Sequence, residues 1–124
     1  MRRDIDQDRR DEVLYIITSS SGKLAARRHV HVQAEVVNAD PPAECDAAVV
    51  GTLVAACETR GFRYERMVSR AYHDSLFMSR VAPTAMLFIP CRGGVSHRPD
   101  EYASPEDIAR GALVLAEALA QLAG

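Results

Sequence analysis

The spacing of apolar positions changes period along the chain, and each change predicts an element. Behind Asp6 and Asp8, whose charge suits a helix start, Val13, Leu14, Ile16, Ile17 and Leu24 recur at helical spacing. One amphipathic helix is therefore expected to about Arg28. Ser19, Ser20, Ser21 and Gly22 weaken its middle, a glycine there costing roughly 1 kcal/mol relative to alanine, so the helix is expected to depend on packing. From His29 to Val37 the period becomes two, with Val30, Val32, Ala34 and Val36 on one face and His29, His31, Gln33 and Glu35 on the other, which predicts a half-exposed strand. Asn38 to Pro42, NADPP, stops helix and ladder alike and marks a boundary.

A second helix is expected from about Asp46, with Val49, Val50, Leu53, Val54 and Cys57 inward and Gly61 at its C-terminal cap. Phe62 to Val68 alternates and suits an outer strand, Ser69 to Asp74 reads as a polar loop, and Leu76, Phe77 and Val81 lie on a short helix before Pro83. Ala85 to Ile89 is an unbroken apolar run, the pattern of a strand covered on both faces, ended by Pro90. Arg92-Gly93-Gly94 then allows positive φ, and His97 and Pro99 follow. Ser104 caps a last helix with Pro105 at its first position and an acid at the third, and Ile108, Ala112, Leu115, Ala116, Leu119 and Leu122 form its apolar stripe. The order is α, β, α, β, α, β, α, an α/β class.

Composition narrows the partners. The 124 residues are one domain's worth of chain, with net charge −2 and pI about 6.1, so no basic footprint for nucleic acid or an anionic membrane is present. No apolar run approaches the roughly 20 residues of a membrane span, and the charged MRRDIDQDRRDE is unlike a signal peptide, so a cytoplasmic location is expected. Cys45, Cys57 and Cys91 are odd in number and widely spaced, which suggests neither a disulfide framework nor a thiolate zinc site. Cys57 is expected in the core.

The candidate chemistry lies at two loop histidines after strands, His73 and His97, which alternating α/β topology tends to bring to one sheet edge. His97 reads either as a ligand-site residue or as a turn residue bonded to a carbonyl. A Ser96 or Cys91 nucleophile with His73 and Asp74 would lack the surrounding elbow that exposes such a group. His29 and His31 could grip a metal as i, i+2 neighbours, but a solvated strand face explains them more simply.

The run HDSLFMSRVAPTAMLFIPCRGGVSHRPDEYASPEDIARGA resembles the C-terminal part of the hydantoinase/carbamoylase-type zinc amidohydrolases. These include allantoate amidohydrolase, N-carbamoyl-L-amino acid hydrolase and β-ureidopropionase, relatives of the aminoacylase and carboxypeptidase-G-like metallopeptidases. The match consists of HD, APT, an apolar strand ending in IP, and RGG-SH-P-E, in order. Upstream, RDID from Arg3 to Asp6 resembles the end of the last strand but one of the family's dimerisation domain, and NADPP its return into the catalytic domain. The resemblance implies a fragment of a two-domain zinc-peptidase-like fold. Residues 1–38 would be the C-terminal helix and strand of the dimerisation (lid) domain, and 39–124 the C-terminal part of a layered α/β catalytic domain.

By the same resemblance His97 corresponds to a metal ligand, His73 to a histidine lining the substrate site, and Arg3 to the arginine that clamps the substrate carboxylate, a task suited to a guanidinium fork. An intact enzyme would use two divalent ions, zinc or manganese, to hydrolyse N-carbamoyl amino acids or ureido acids such as allantoate. Homo-oligomers are expected, or a missing N-terminal segment as partner. Two departures stand out. Where the family has SGAGHD, this chain has Ser69-Arg70-Ala71-Tyr72-His73-Asp74, in which Arg70 and Tyr72 are expected to crowd the pocket or change its substrate. The family's other ligands and catalytic glutamate are absent, with no adjacent Glu-Glu pair or HxD stretch in their place, so this chain alone is expected to bind zinc weakly, if at all, and to be inactive. The alternative is a non-catalytic remnant or partner-binding module of the same fold.

Overall fold

A computed structural model of the chain describes residues 6–124. They belong to two compact units, one comprising residues 6–43 with Val68–Tyr72, the other Glu44–Met67 with His73–Gly124.

The first unit is built on α1, Gln7–Arg28. The Asp6 carboxylate accepts the Arg9 N–H at 3.0 Å, satisfying one of the amides a helix start leaves unpaired. The serine-rich middle holds because hydroxyls bond back into the helix: Thr18 Oγ1 donates to the Leu14 carbonyl and Ser19 Oγ to that of Ile16. Packing contributes less than expected, since Ile16 and Leu24 stay about half exposed and only Ala25 is buried. At its end His29 takes a left-handed conformation (φ 52°), its N–H reaches the Ala26 carbonyl, and the Val30 N–H reaches that of Ala25. His29 is thus a helix terminator rather than the first residue of a strand.

The second unit is organised by α2, Ala47–Thr59, and α4, Pro105–Ala123, with the four-residue α3, Ser75–Met78, and a 3-10 turn at Arg92–Gly94 between them. The Asp46 carboxylate caps α2 through the Ala48 and Val49 amides, and the Asp46 N–H donates to the Thr84 carbonyl at 2.8 Å. At the other end Gly61 (φ 66°) N–H bonds the Glu58 carbonyl and Phe62 N–H that of Cys57, the paired closure that glycine permits. Phe62 consequently folds back on the core of Ala56, Cys57, Val114 and Ala118, with Leu53 beside it. Ser104 Oγ accepts the Asp107 N–H at 3.1 Å and donates to its carboxylate at 2.7 Å, fixing the start of α4.

Two expectations need correction. The face of α4 that meets α2 carries Val114 and Ala118, whereas the stripe of Ile108, Leu115, Leu119 and Leu122 is about half exposed. Alanines let two helix backbones approach, so the smaller residues take the inner face and the larger ones are left outside. The segments expected as strands, 29–37, 62–68 and 85–89, contain no strand, and neither does any other described residue. A period of two marks which faces suit burial, but a strand exists only with a hydrogen-bonded neighbour, and none of these segments has one. Among the described residues the helices of the α/β expectation are therefore present and its sheet is not.

Candidate functional site

His97 stands on a loop whose two ends are tied together. The Arg92 N–H donates to the Tyr102 carbonyl at 2.8 Å, and the Arg92 guanidinium lies 4.8 Å from the centre of the Tyr102 ring. Gly93 and Gly94, at φ 68° and 65°, turn the chain, and Val95 returns it to extended backbone. Arg98 grips Asp100 through two nitrogens at 2.9 Å each. Between these closures His97 adopts φ 58°, a conformation that costs a residue with a Cβ about 1 kcal/mol or more. Its N–H donates to the Glu101 carboxylate at 2.7 Å. The backbone of His97 is thus held by a carboxylate rather than the carbonyl that the turn reading expected. Its imidazole is exposed and makes no hydrogen bond or ion pair with the described residues.

His73 is half-buried, immediately before Asp74 at the N-terminal end of α3, and its ring sits 5.6 Å from that of Phe88 at a 57° tilt. The apolar run 85–89 therefore supplies the wall against which this imidazole rests. Ser75 Oγ donates to Met86 Sδ at 2.9 Å, holding α3 against the same run. Arg3 lies outside the described residues.

No group of three or more His, Cys, Asp or Glu among the described residues is arranged to hold a metal ion. One free imidazole does not make a zinc or manganese site, which takes several ligands. The described residues alone do not fit the expected dinuclear centre. A depression of about 420 Å³ lined by Gly61, Phe62, Arg63, Pro90 and Arg110 includes neither histidine. The core thiol Cys57 is buried as expected; burial pushes its pKa up, and Glu58 adds to the rise, so it is not an activated nucleophile.

The model of peptidase family M20/M25/M40 matches residues 4–121. The chain belongs to that family. A ureidoglycolate hydrolase of Oryza sativa subsp. japonica is 46% identical over 97% of the chain, and an N-carbamoyl-L-amino-acid amidohydrolase of Pseudomonas sp. is 31% identical over 94%. The crystal structure of AtUAH in complex with (S)-hydroxyglycine superposes with a TM-score of 0.88 at 46% identity over 96% of this chain and 28% of that one. Allantoate amidohydrolases are also among the relatives. The chain spans about a quarter of the length of the curated relatives it matches. Membership in the M20/M25/M40 family supports the resemblance drawn from the HD, APT and RGG-SH-P-E motifs. No helix among the described residues is long and apolar enough to cross a membrane.

Sequence reasoning placed His73 and His97 on loops but missed what holds them. Glu101 was visible as the last letter of RGG-SH-P-E, four residues after His97, without a sign that it binds that residue's backbone. Phe88 was read only as part of a strand.

Proposed function

We propose that the chain is the C-terminal part of a metal-dependent amidohydrolase that cleaves a non-peptide C–N bond in a ureido acid, with ureidoglycolate preferred over N-carbamoyl amino acids. The supporting observation is 46% identity to a ureidoglycolate hydrolase sustained across 97% of the chain. Identity to the N-carbamoyl-L-amino-acid enzyme is 31%.

In this reading His97 contributes one imidazole to a divalent metal centre completed by residues outside those described, and that centre supplies an activated water when loaded. Its exposed ring on a fixed backbone suits such a role, because a ligand must present its nitrogen without reorganising. His73, steadied against Phe88, faces the substrate, and Arg3 pairs with its carboxylate. Residues 1–38 belong to the lid domain and 39–124 to the catalytic domain, and the assembled protein is a cytoplasmic homo-oligomer.

Joining this chain to the remainder of a family-length protein, fused or in trans, and measuring ammonia release from ureidoglycolate, allantoate and N-carbamoyl amino acids tests the proposal. Turnover of ureidoglycolate above the others, abolished by His97→Ala, is the expected result. Full metal loading with no turnover of any of the three would replace the catalytic reading with that of a non-catalytic remnant.

A further inference from the structure

The segment His97-Arg98-Pro99-Asp100-Glu101 closes on itself through Glu101, which binds it twice. The Glu101 N–H donates to the Arg98 carbonyl at 3.1 Å, closing a four-residue turn with Pro99 at its second position, where the fixed φ of proline suits the bend. Its carboxylate accepts the His97 N–H at 2.7 Å, the short end of the range for a nitrogen donor. The neighbouring arginines are engaged elsewhere, Arg98 by Asp100 and Arg92 by the Tyr102 ring. His29, the other non-glycine residue with positive φ among the described residues, is held by the carbonyls of the helix it ends. His97 ends no helix, and the bond its N–H makes is to the Glu101 side chain. All five residues lie within one compact unit.

The geometry points to Glu101 as a positioning residue: its carboxylate holds His97 in the left-handed backbone state and so sets the direction in which the His97 imidazole is presented. A residue with a Cβ disfavours that state, so without the bond the backbone relaxes toward negative φ and the bond from Cα to Cβ swings with it. The exposed ring, bonded to none of the described residues, takes its direction from the backbone. Glutamine at position 101 would keep an acceptor oxygen at the same reach, whereas alanine would remove it. The consequence for a metal centre rests on the reading of His97 given above; the hold on the backbone does not.

The test uses the full chain with Glu101→Ala and Glu101→Gln, followed by NMR, with Val114 methyl signals reporting that the α2–α4 core is intact. Wild-type His97 should give the strong cross-relaxation between its own amide and Hα protons that marks a left-handed residue. Glu101→Ala should lose that signal and Glu101→Gln should recover most of it; an unchanged signal in Glu101→Ala overturns the proposal. If Glu101→Ala does not fold, amide exchange in the wild-type chain carries the test: the His97 amide should exchange about tenfold more slowly than its intrinsic rate, and exchange at the intrinsic rate overturns the proposal. In a family-length protein, zinc content after dialysis against a chelator should show affinity falling about 10- to 100-fold in Glu101→Ala and recovering in Glu101→Gln. Zinc lost from His97→Ala but fully kept by Glu101→Ala overturns the positioning role. If the backbone signals behave as stated while both variants keep their zinc, the hold on His97 stands and the reading of His97 as a ligand falls.

Discussion

Gly111 on α4 makes room for Ile89: a Cβ there would overlap Ile89 Cγ2. That methyl is attached to the β-carbon of a branched side chain, where rotation offers little escape. Gly111→Ala would add about 1 kcal/mol of helix propensity but impose an overpacking cost of about 1–3 kcal/mol. Destabilisation of about 1 kcal/mol is expected in urea unfolding. In an Ile89→Ala background the obstructing methyl is gone, and the same substitution should stabilise. A stabilising Gly111→Ala in the wild-type chain would show that the 85–89 segment does not press on α4.

His29 and His97 share a backbone state and differ in purpose. Replacing His29 with glycine should stabilise the chain by roughly 0.5–1 kcal/mol, because the left-handed position at the end of α1 then carries no Cβ. His97→Gly should gain a similar amount by the same relief while removing the proposed metal ligand. Urea midpoints compare the two gains. In a family-length protein only the second variant should lose metal, as read by zinc content after dialysis.

Arg60, at the end of α2, reaches Glu117 on α4 at 3.0 Å, and Gln121 also donates to that carboxylate. The hydrogen bond from Arg60, then that from Gln121, holds the Glu117 carboxyl below its ordinary value of 4.5. A folded-state pKa depressed in this way contributes stability that is fully present above the unfolded value and lost as pH falls through the folded one. Wild-type stability should therefore drop more steeply below about pH 4.5 than that of Glu117→Gln. Parallel curves for the two proteins would mean that the pair contributes nothing to the acid limb.

The exposed stripe of Ile108, Leu115, Leu119 and Leu122 should drive self-association of the chain alone. Leu115→Lys with Leu119→Lys should lower the weight-average mass in sedimentation at high concentration and leave the unfolding midpoint within about 0.5 kcal/mol of wild type. Loss of the fold in that variant would place these leucines inside the α2–α4 packing.

The helices were legible because their signals are local. Asp6, Asp46 and Ser104 cap where their side chains reach nearby amides, and Gly61 ends α2 through two backbone bonds. Strands are different, since the alternation of Val30, Val32 and Val36 says which face wants cover but not what supplies it. These valines are about half exposed here, and most of the length of the matched relatives lies beyond this chain. The stripe on α4 misled for a related reason. Hydrophobicity marked Leu115 and Leu119 as inward, while contact with α2 selected the small Ala118 and the neighbouring Val114. At the candidate site, residue types suggested two histidines, but the bonds holding the His97 backbone and the Tyr72 ring come from carboxylates whose partners only the folded chain reveals.

The α2–α4 contact joins segments separated by everything from Arg60 to Ser104, so the buried cluster at Ala56 and Ala118 closes a long loop. While that loop is continuous, each helix meets the other at an effective concentration on the order of millimolar. A single protease cut within the Arg92–Tyr102 loop would break no bond of the cluster, yet it would turn an encounter within one molecule into one between two. The cluster would then persist only at protein concentrations above the dissociation constant of the two pieces, and dilution below it would dissolve the cluster.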